Sequence, residues 1–360
     1  MTAAHNSWSH RFVVVATGAS TPVGLCAPMT AASVRAGICR HALHPTMLDG
    51  AGDPVRAAFA AFLDPDLTAP ARALALAVPA LQETLEPLEA LGRVPLSLAV
   101  GLPEERPGWA HTDSNTVMRA LTGVLLRSAR PEAVTSVPRG HASAFVALEL
   151  ALRDLDAGRT QACVIGGVDT YLDPMTLDWL DQSRRLSTAR HRSAFVPGEA
   201  ASFFVVTTAA TARAWRLPEL ATIRSVATTR EQSPFGSNRV ITGEALTAAI
   251  AGATQPLRLP HEKIATTYCD LNGERHRTDE FLYVPLRLHA PFIDANAYES
   301  PADAWGDVGA ASGPLYMALA VASAERGYAR GPHVLAWTSS DGGTRAAATL
   351  TLPTHCNGDR

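Results

Sequence analysis

The chain has 360 residues, 47% of them hydrophobic, with a formal net charge of −3 and a sequence pI near 6.5. That is enough apolar material for a large core, as two ordinary domains or one large duplicated one, while the near-neutral balance offers no basic field for nucleic acid and no polybasic stretch for an anionic membrane. No apolar run approaches the roughly 20 residues that span a bilayer, and the opening MTAAHNSWSHR lacks the charged start and apolar middle of a secretory signal, so the expected location is the cytoplasm.

The first element is RFVVVATGASTPVG, a buried β-branched strand that turns through Thr21, Pro22 and Gly24 into the helix CAPMTAASVRAG. APARALALAVPALQETLEPLEAL has helical spacing from Ala69 to Leu91, and VPLSLAVGLPE follows as a strand. A helix around SNTVMRALTGVLLRSA comes next, followed by a turn at Gly140, a buried helix from about Ala142 to Ala157, and a buried strand ending at Gly166-Gly167. AASFFVVTTAA closes the first half. The second half repeats the plan with ATIRSVATT, the helix GEALTAAIAGAT, the strand IATTYCDLNG, the helix DVGAASGPLYMALAVASAERG, and the strands HVLAWTSS and RAAATLTL.

Alternation of buried strands with amphipathic helices predicts a largely parallel sheet covered on both faces. The expected organisation is an internal duplication, with one half at residues 11–208, the crossing near 209–216, a second half at 217–352, and loose ends at 1–10 and 353–360. The five cysteines, Cys26, Cys39, Cys163, Cys269 and Cys356, show no CxxC spacing and read as reduced, mostly buried thiols. Lys263 is the single lysine, which excludes any mechanism that needs one elsewhere.

Taken together, these segments resemble the β-ketoacyl synthase branch of the thiolase superfamily from about Phe12 to Leu352. VVVATGASTPVG is similar to that family's opening strand, and DAGRTQACVIGGVDTYLDPMTLDWLDQSRRLST to the segment after its nucleophile helix. FVPGEAASFFVV, GDVGAASG and SSDGGTRAAATL resemble three further glycine-bearing motifs in the family's order. The resemblance implies a five-layered αβαβα fold built from two duplicated halves, a homodimer, and a pocket for an acyl chain carried on phosphopantetheine, with an acyl carrier protein as partner. It also assigns Glu199 a packing role.

The departures fall where the family's chemistry occurs. The family's nucleophilic cysteine aligns with His141, its first histidine near Leu271 with His276 out of register, and its second histidine with Asp307; its lysine has no counterpart. In the closing loop Asp341 stands for a gating phenylalanine and Arg345 for an asparagine.

An imidazole cannot replace a thiolate as a stable acyl carrier, so His141 is either a polar plug in the old nucleophile cavity or a general base, since its reference pKa of about 6.5 suits proton transfer near neutral pH. Ser143 lies two residues on. It reads as a helix-capping serine, with nucleophilic serine as the alternative; the sequence GHASA is not a GxSxG elbow. Asp307, Asp341 and Arg345 either converge on His141 as an ionic cluster able to hold a carboxylate or phosphate, or Asp341 and Arg345 pair with each other and close the pocket. The run CDLNGERHRTDE sets Asp270, Asn272, Glu274, Arg275 and His276 either at a cleft or in a solvated turn at Asn272-Gly273. No metal site and no cofactor are expected.

The expected function is that of a degenerate β-ketoacyl synthase-like protein. It would not run Claisen condensation, and would act as a partner, acyl or acyl-carrier-binding, or accessory protein, as a homodimer or as a heterodimer with an active ketosynthase. The alternative is an acyl-thioester enzyme with altered chemistry (hydrolysis, decarboxylation or acyl transfer) using His141 as base. A weaker alternative is an accessory protein of a bacterial secretion module.

Overall fold

A computed structural model describes residue 8, residues 11–237 and residues 239–353. The predicted loose ends, 1–10 and 353–360, lie outside the described residues except at 8, which is Trp8, and 353, and Cys356 lies outside them too. The strands in chain order are β1 (Phe12–Ser20), β2 (His41–Leu48), β3 (Pro54–Ala58), β4 (Pro95–Leu102), β5 (Arg130–Pro138), β6 (Ala162–Thr170), β7 (Glu199–Thr208), β8 (Ala221–Arg230), β9 (Thr266–Cys269), β10 (His333–Ser339) and β11 (Thr344–Thr351).

Nine strands form one sheet in the order β5-β4-β6-β7-β1-β8-β11-β10-β9, and β2 and β3 form a separate hairpin. The two sides of the large sheet join only where Phe12–Val14 of β1 meet Ala221–Ile223 of β8. Side chains alternate across each strand, and this alternation builds the layers. Val13, Val15, Phe203 and Val205 face the helices Ala69–Leu85 and His111–Ser128. Phe12, Val14, Phe204 and Val206 face the helices Ser143–Asp156 and Ser312–Glu325, which also receive Val334, Ala346 and Leu350 from the far side of the sheet. Leu335, Trp337 and Ala347 turn outward onto the helices Glu244–Thr254 and Arg275–Arg287. The result is helix, sheet, helix, sheet, helix. The central Ser312–Glu325 helix is buried from Ser312 through Ala324 because sheet lies on both sides of it.

The sheet is mixed, which corrects the largely parallel expectation. β4 runs parallel to β5 and β6, and β9 parallel to β10, while β6–β7, β7–β1, β1–β8, β8–β11 and β11–β10 are antiparallel. Only the first group is linked by helical crossovers of the kind that set strands parallel. The connection from β6 to β7 also contains a helix, Pro174–Gln182, yet returns antiparallel, so alternation alone gave the wrong direction.

The two halves use one local device at the central helices. Gly140–Ala142 and Gly309–Ala311 each form a single 3₁₀ turn that runs into a 14-residue helix starting at Ser143 and at Ser312. Gly140 (φ +59°) and Gly309 (φ +48°) occupy the left-handed region in which a Cβ is strained. These paired turns face each other and bring the helix starts together at the middle of the molecule.

Candidate active-site region

His141 stands in the first of these turns and is 4% exposed. Its Nε2 lies 2.8 Å from Oδ1 and 3.0 Å from Oδ2 of Asp307, which stands just ahead of the second turn. Asp307 is fixed from several sides. Its backbone N–H donates to Val196 and its carbonyl accepts from the Gly198 N–H, each at 2.8 Å, so the FVPGEAA segment sets its position. Its Oδ1 also accepts from the Gly309 N–H at 2.8 Å, and its Oδ2 from Asn272 Nδ2 at 2.6 Å.

Burial opposes a charged imidazole, but the charge and hydrogen bond of Asp307 outweigh both burial and the nearby Arg277, so the His141 pKa lies above its ordinary value. Burial likewise pushes against the Asp307 anion; His141, Arg277 and Asn272 reverse this and hold the carboxyl well below the usual carboxylate range. Each therefore favours the charged form of the other across a buried contact.

Around this pair lies a network that the sequence did not announce. Arg277 is buried and donates through Nη1 to Asp270 Oδ2 at 3.1 Å and to the Ser339 carbonyl at 2.7 Å, and through Nε to Glu274 Oε2 at 3.3 Å. Its Nη2 lies 3.5 Å from His141 Nε2 and 3.4 Å from Asp341 Oδ1. Arg185 grips Glu274 with Nε and Nη2, at 2.7 and 3.0 Å, and reaches Asp341 with Nη1 at 2.6 Å. Four carboxylates, those of Asp270, Glu274, Asp307 and Asp341, thus meet two guanidinium groups and one imidazole. Asp270 Oδ1 is buried without a hydrogen-bond partner among the described residues, and burial raises this carboxyl's pKa against the pull of Arg277.

Arg277 was missed because it sits in a polar run whose charges read as solvated. The burial of Asp270, Glu274 and Arg277 corrects that reading: a helix starts at Arg275, after a turn with Gly273 at φ +100°, and swings Arg277 inward, three residues along from Glu274. Arg185 lies in an arginine pair with no distinguishing signal. The following positions are also corrected or refined. Leu271, the residue aligned with a histidine, packs into the second-half core, and Asn272 reaches Asp307 instead. Arg345 neither joins His141 nor pairs with Asp341; it is buried against Glu280 at 2.7 Å and the Ser340 carbonyl at 2.7 Å, because along β11 its side chain points to the far face.

Ser143 is the first helical residue rather than the cap. Its hydroxyl donates to the carbonyls of Gly140 and Leu102 and accepts from the Arg139 N–H at 3.2 Å, contacts that close the turn. His276 is partly exposed at the edge of the network, 4.0 Å from Glu274 and tilted against Phe235 with ring centroids 4.2 Å apart; burial pulls its pKa down to about 4 despite Glu274. Glu199 is fully buried and bidentate on Arg72 at 2.8 and 2.7 Å, an internal strut.

Two of the thiols are buried. Cys163 is buried within β6, its pKa pushed up to about 12 by burial, and Cys269 is buried in the second-half core with its pKa also raised by burial. Among the described residues no group of three or more His, Cys, Asp or Glu is arranged to hold a metal ion, and no helix is long and apolar enough to cross a membrane.

Residues 134–212 match the family model described as β-ketoacyl synthase, N-terminal domain, a span that includes His141, β6 and β7. A search of curated proteins returns no match. Among solved structures, the chain superposes with TM-score 0.78 on a chain of a type II polyketide acyl-carrier protein in complex with its ketosynthase bound to a hexaketide, at 13% identity, covering 96% of this chain and 100% of that one. The ishigamide ketosynthase/chain length factor matches with TM-score 0.70 at 20% identity, covering 96% and 100%. A β-ketoacyl synthase from Burkholderia phymatum STM815 matches with TM-score 0.71 at 14% identity, again covering 96% and 100%. The chain thus shares the fold of these ketosynthase structures, and its segment 134–212 is similar to the β-ketoacyl synthase N-terminal domain.

Proposed function

We propose that this chain is a non-condensing ketosynthase-like protein that works by binding, as a partner of an acyl carrier protein and of a second ketosynthase-like subunit. The single observation that carries the reading is the buried ion pair of His141 with Asp307. An acyl-carrying nucleophile needs an accessible, electron-rich atom at the start of the central helix. Here that place is taken by a buried ring whose Nε2 points into a carboxylate, which raises its pKa. The raised pKa also works against His141 as a general base, because it favours the protonated ring over the form that accepts a proton.

The partner role draws support from two sides. The matched structures include a ketosynthase with its acyl-carrier protein and a ketosynthase/chain length factor. β5 is a nine-residue strand at one end of the sheet, paired on one side only and exposed along most of its length, a ready template for a strand of a second subunit. The test is to measure the mass of the purified chain by light scattering and its association with holo acyl carrier protein by calorimetry, alongside thioesterase and decarboxylase assays on acyl and malonyl thioesters. Association in the absence of turnover is expected. Turnover that His141→Ala abolishes would replace this reading with an altered acyl-thioester enzyme.

A further inference from the structure

We propose that Arg185 and Arg277 form a carboxylate-binding site which the chain fills with its own Asp341, and that a small monocarboxylate ligand enters by taking Asp341's place. This goes beyond the partner role and does not depend on it. Of the four carboxylates in the network, Asp341 alone reaches solvent: its side chain is 30% exposed, against 3% or less for Glu274, Asp270 and Asp307. Both of its oxygens lie on guanidinium nitrogens, Oδ2 at 2.6 Å from Arg185 Nη1, and Oδ1 at 3.3 Å from Arg185 Nη2 and 3.4 Å from Arg277 Nη2. It therefore sits as an external carboxylate would sit on a two-arginine fork.

The donors do not depend on Asp341 for their place. Arg185 is held by both oxygens of Glu274 and lies 4.6 Å from the ring centroid of Phe235 and 5.5 Å from that of Phe195. Arg277 is held by Asp270, Glu274 and the Ser339 carbonyl. Removing Asp341 thus leaves preorganised donors facing a space open to solvent, with Phe235 and His276 at its rim.

Asp341 stands at the tip of the turn between β10 and β11, beside Gly342 and Gly343, so rotating its side chain outward disturbs no strand pairing. Charge sets the ligand class. A monocarboxylate restores the single negative charge that Asp341 supplies to the two guanidinium groups, and a dianion adds one more. A monocarboxylate fits, and a phosphate dianion does not.

The test uses the full chain, with thermal unfolding and calorimetry in sodium acetate, and sodium chloride and sodium phosphate at matched ionic strength as controls. Asp341→Gly removes the internal carboxylate, and Asp341→Ala is measured in parallel so that a glycine variant that does not fold leaves the test intact. Acetate is expected to raise the Tm of the variant saturably and to bind it at least about tenfold more tightly than wild type, because wild-type affinity is reduced by the fraction of molecules in which Asp341 is displaced. Adding Arg185→Gln is expected to abolish the effect. An acetate shift no larger than that of chloride, an equal shift with phosphate, or a shift that survives Arg185→Gln would each overturn the proposal.

Discussion

His141 Nε2 sits 2.8 Å from Asp307 Oδ1, joining the first turn of one half's central helix to the residue just ahead of the matching turn in the other half. The two residues are 166 positions apart in the chain, so the pair fastens the two halves at their centre as well as filling the site.

The pair gives stability a definite dependence on pH. His141 is raised in the folded chain, so its contribution is fully present below the ordinary histidine pKa of about 6.5 and is lost as pH rises through the folded value. Asp307 is depressed, so its contribution holds above the ordinary carboxylate range and is lost only as pH falls through its folded value. Urea unfolding of wild type and His141→Asn from pH 5 to pH 9 is expected to show the wild-type advantage shrinking on the alkaline side. By NMR, the His141 ring in Asp307→Asn is expected to titrate below the wild-type ring, since the main influence raising its pKa is gone while burial and Arg277 remain.

Arg277→Met leaves the Asp270 and Glu274 carboxylates buried with one fewer counter-charge. Removing one partner of a buried pair typically costs about 3–5 kcal/mol, and denaturant titration is expected to give a loss in that range. A change under about 1 kcal/mol, the scale of a surface ion pair, would mean the network is open to water.

Gly309→Ala tests the second turn. An added Cβ would lie 1.9 Å from Asp169 Oδ2, and that carboxylate cannot move freely because it accepts from the Ala310 N–H at 3.0 Å and binds Arg106 at 2.6 Å. Gly327→Ala has a similar positive φ with nothing within 4 Å and serves as the control for backbone strain alone, about 1–2 kcal/mol. Thermal unfolding is expected to show a clearly larger loss for Gly309→Ala.

Val134 is 40% exposed near the middle of β5. If β5 pairs with a second chain, Val134→Lys places a charge at the middle of the new ladder and is expected to weaken the dimer about tenfold, or roughly 1.4 kcal/mol, by sedimentation. An unchanged dissociation constant would move the interface elsewhere.

The layers were legible because apolar runs carry their own signal. The Ser312–Glu325 helix and β1, β6 and β7 are almost continuously buried stretches, and glycine marks the turns ahead of both central helices. Strand direction was not legible, because a helical connection looks the same in sequence whether the chain crosses over or returns. The site was half legible. His141, Asp307, Asn272 and Glu274 stood out at aligned positions or in a dense polar run, and they come together. Arg185 and Arg277 did not, since burial of an arginine is decided by carboxylates far along the chain: Arg185 meets Asp341, 156 residues away. Arg345 was misassigned because one position along a strand reverses the face to which a side chain points.

Intact-protein mass spectrometry after incubation with an acyl thioester addresses the central claim most directly. The account predicts an unmodified chain at neutral pH, with His141→Cys included to test whether a thiol at that position can be acylated at all. A stable acyl adduct on the wild-type chain, mapped to Cys26, Cys39 or any other thiol, would contradict it.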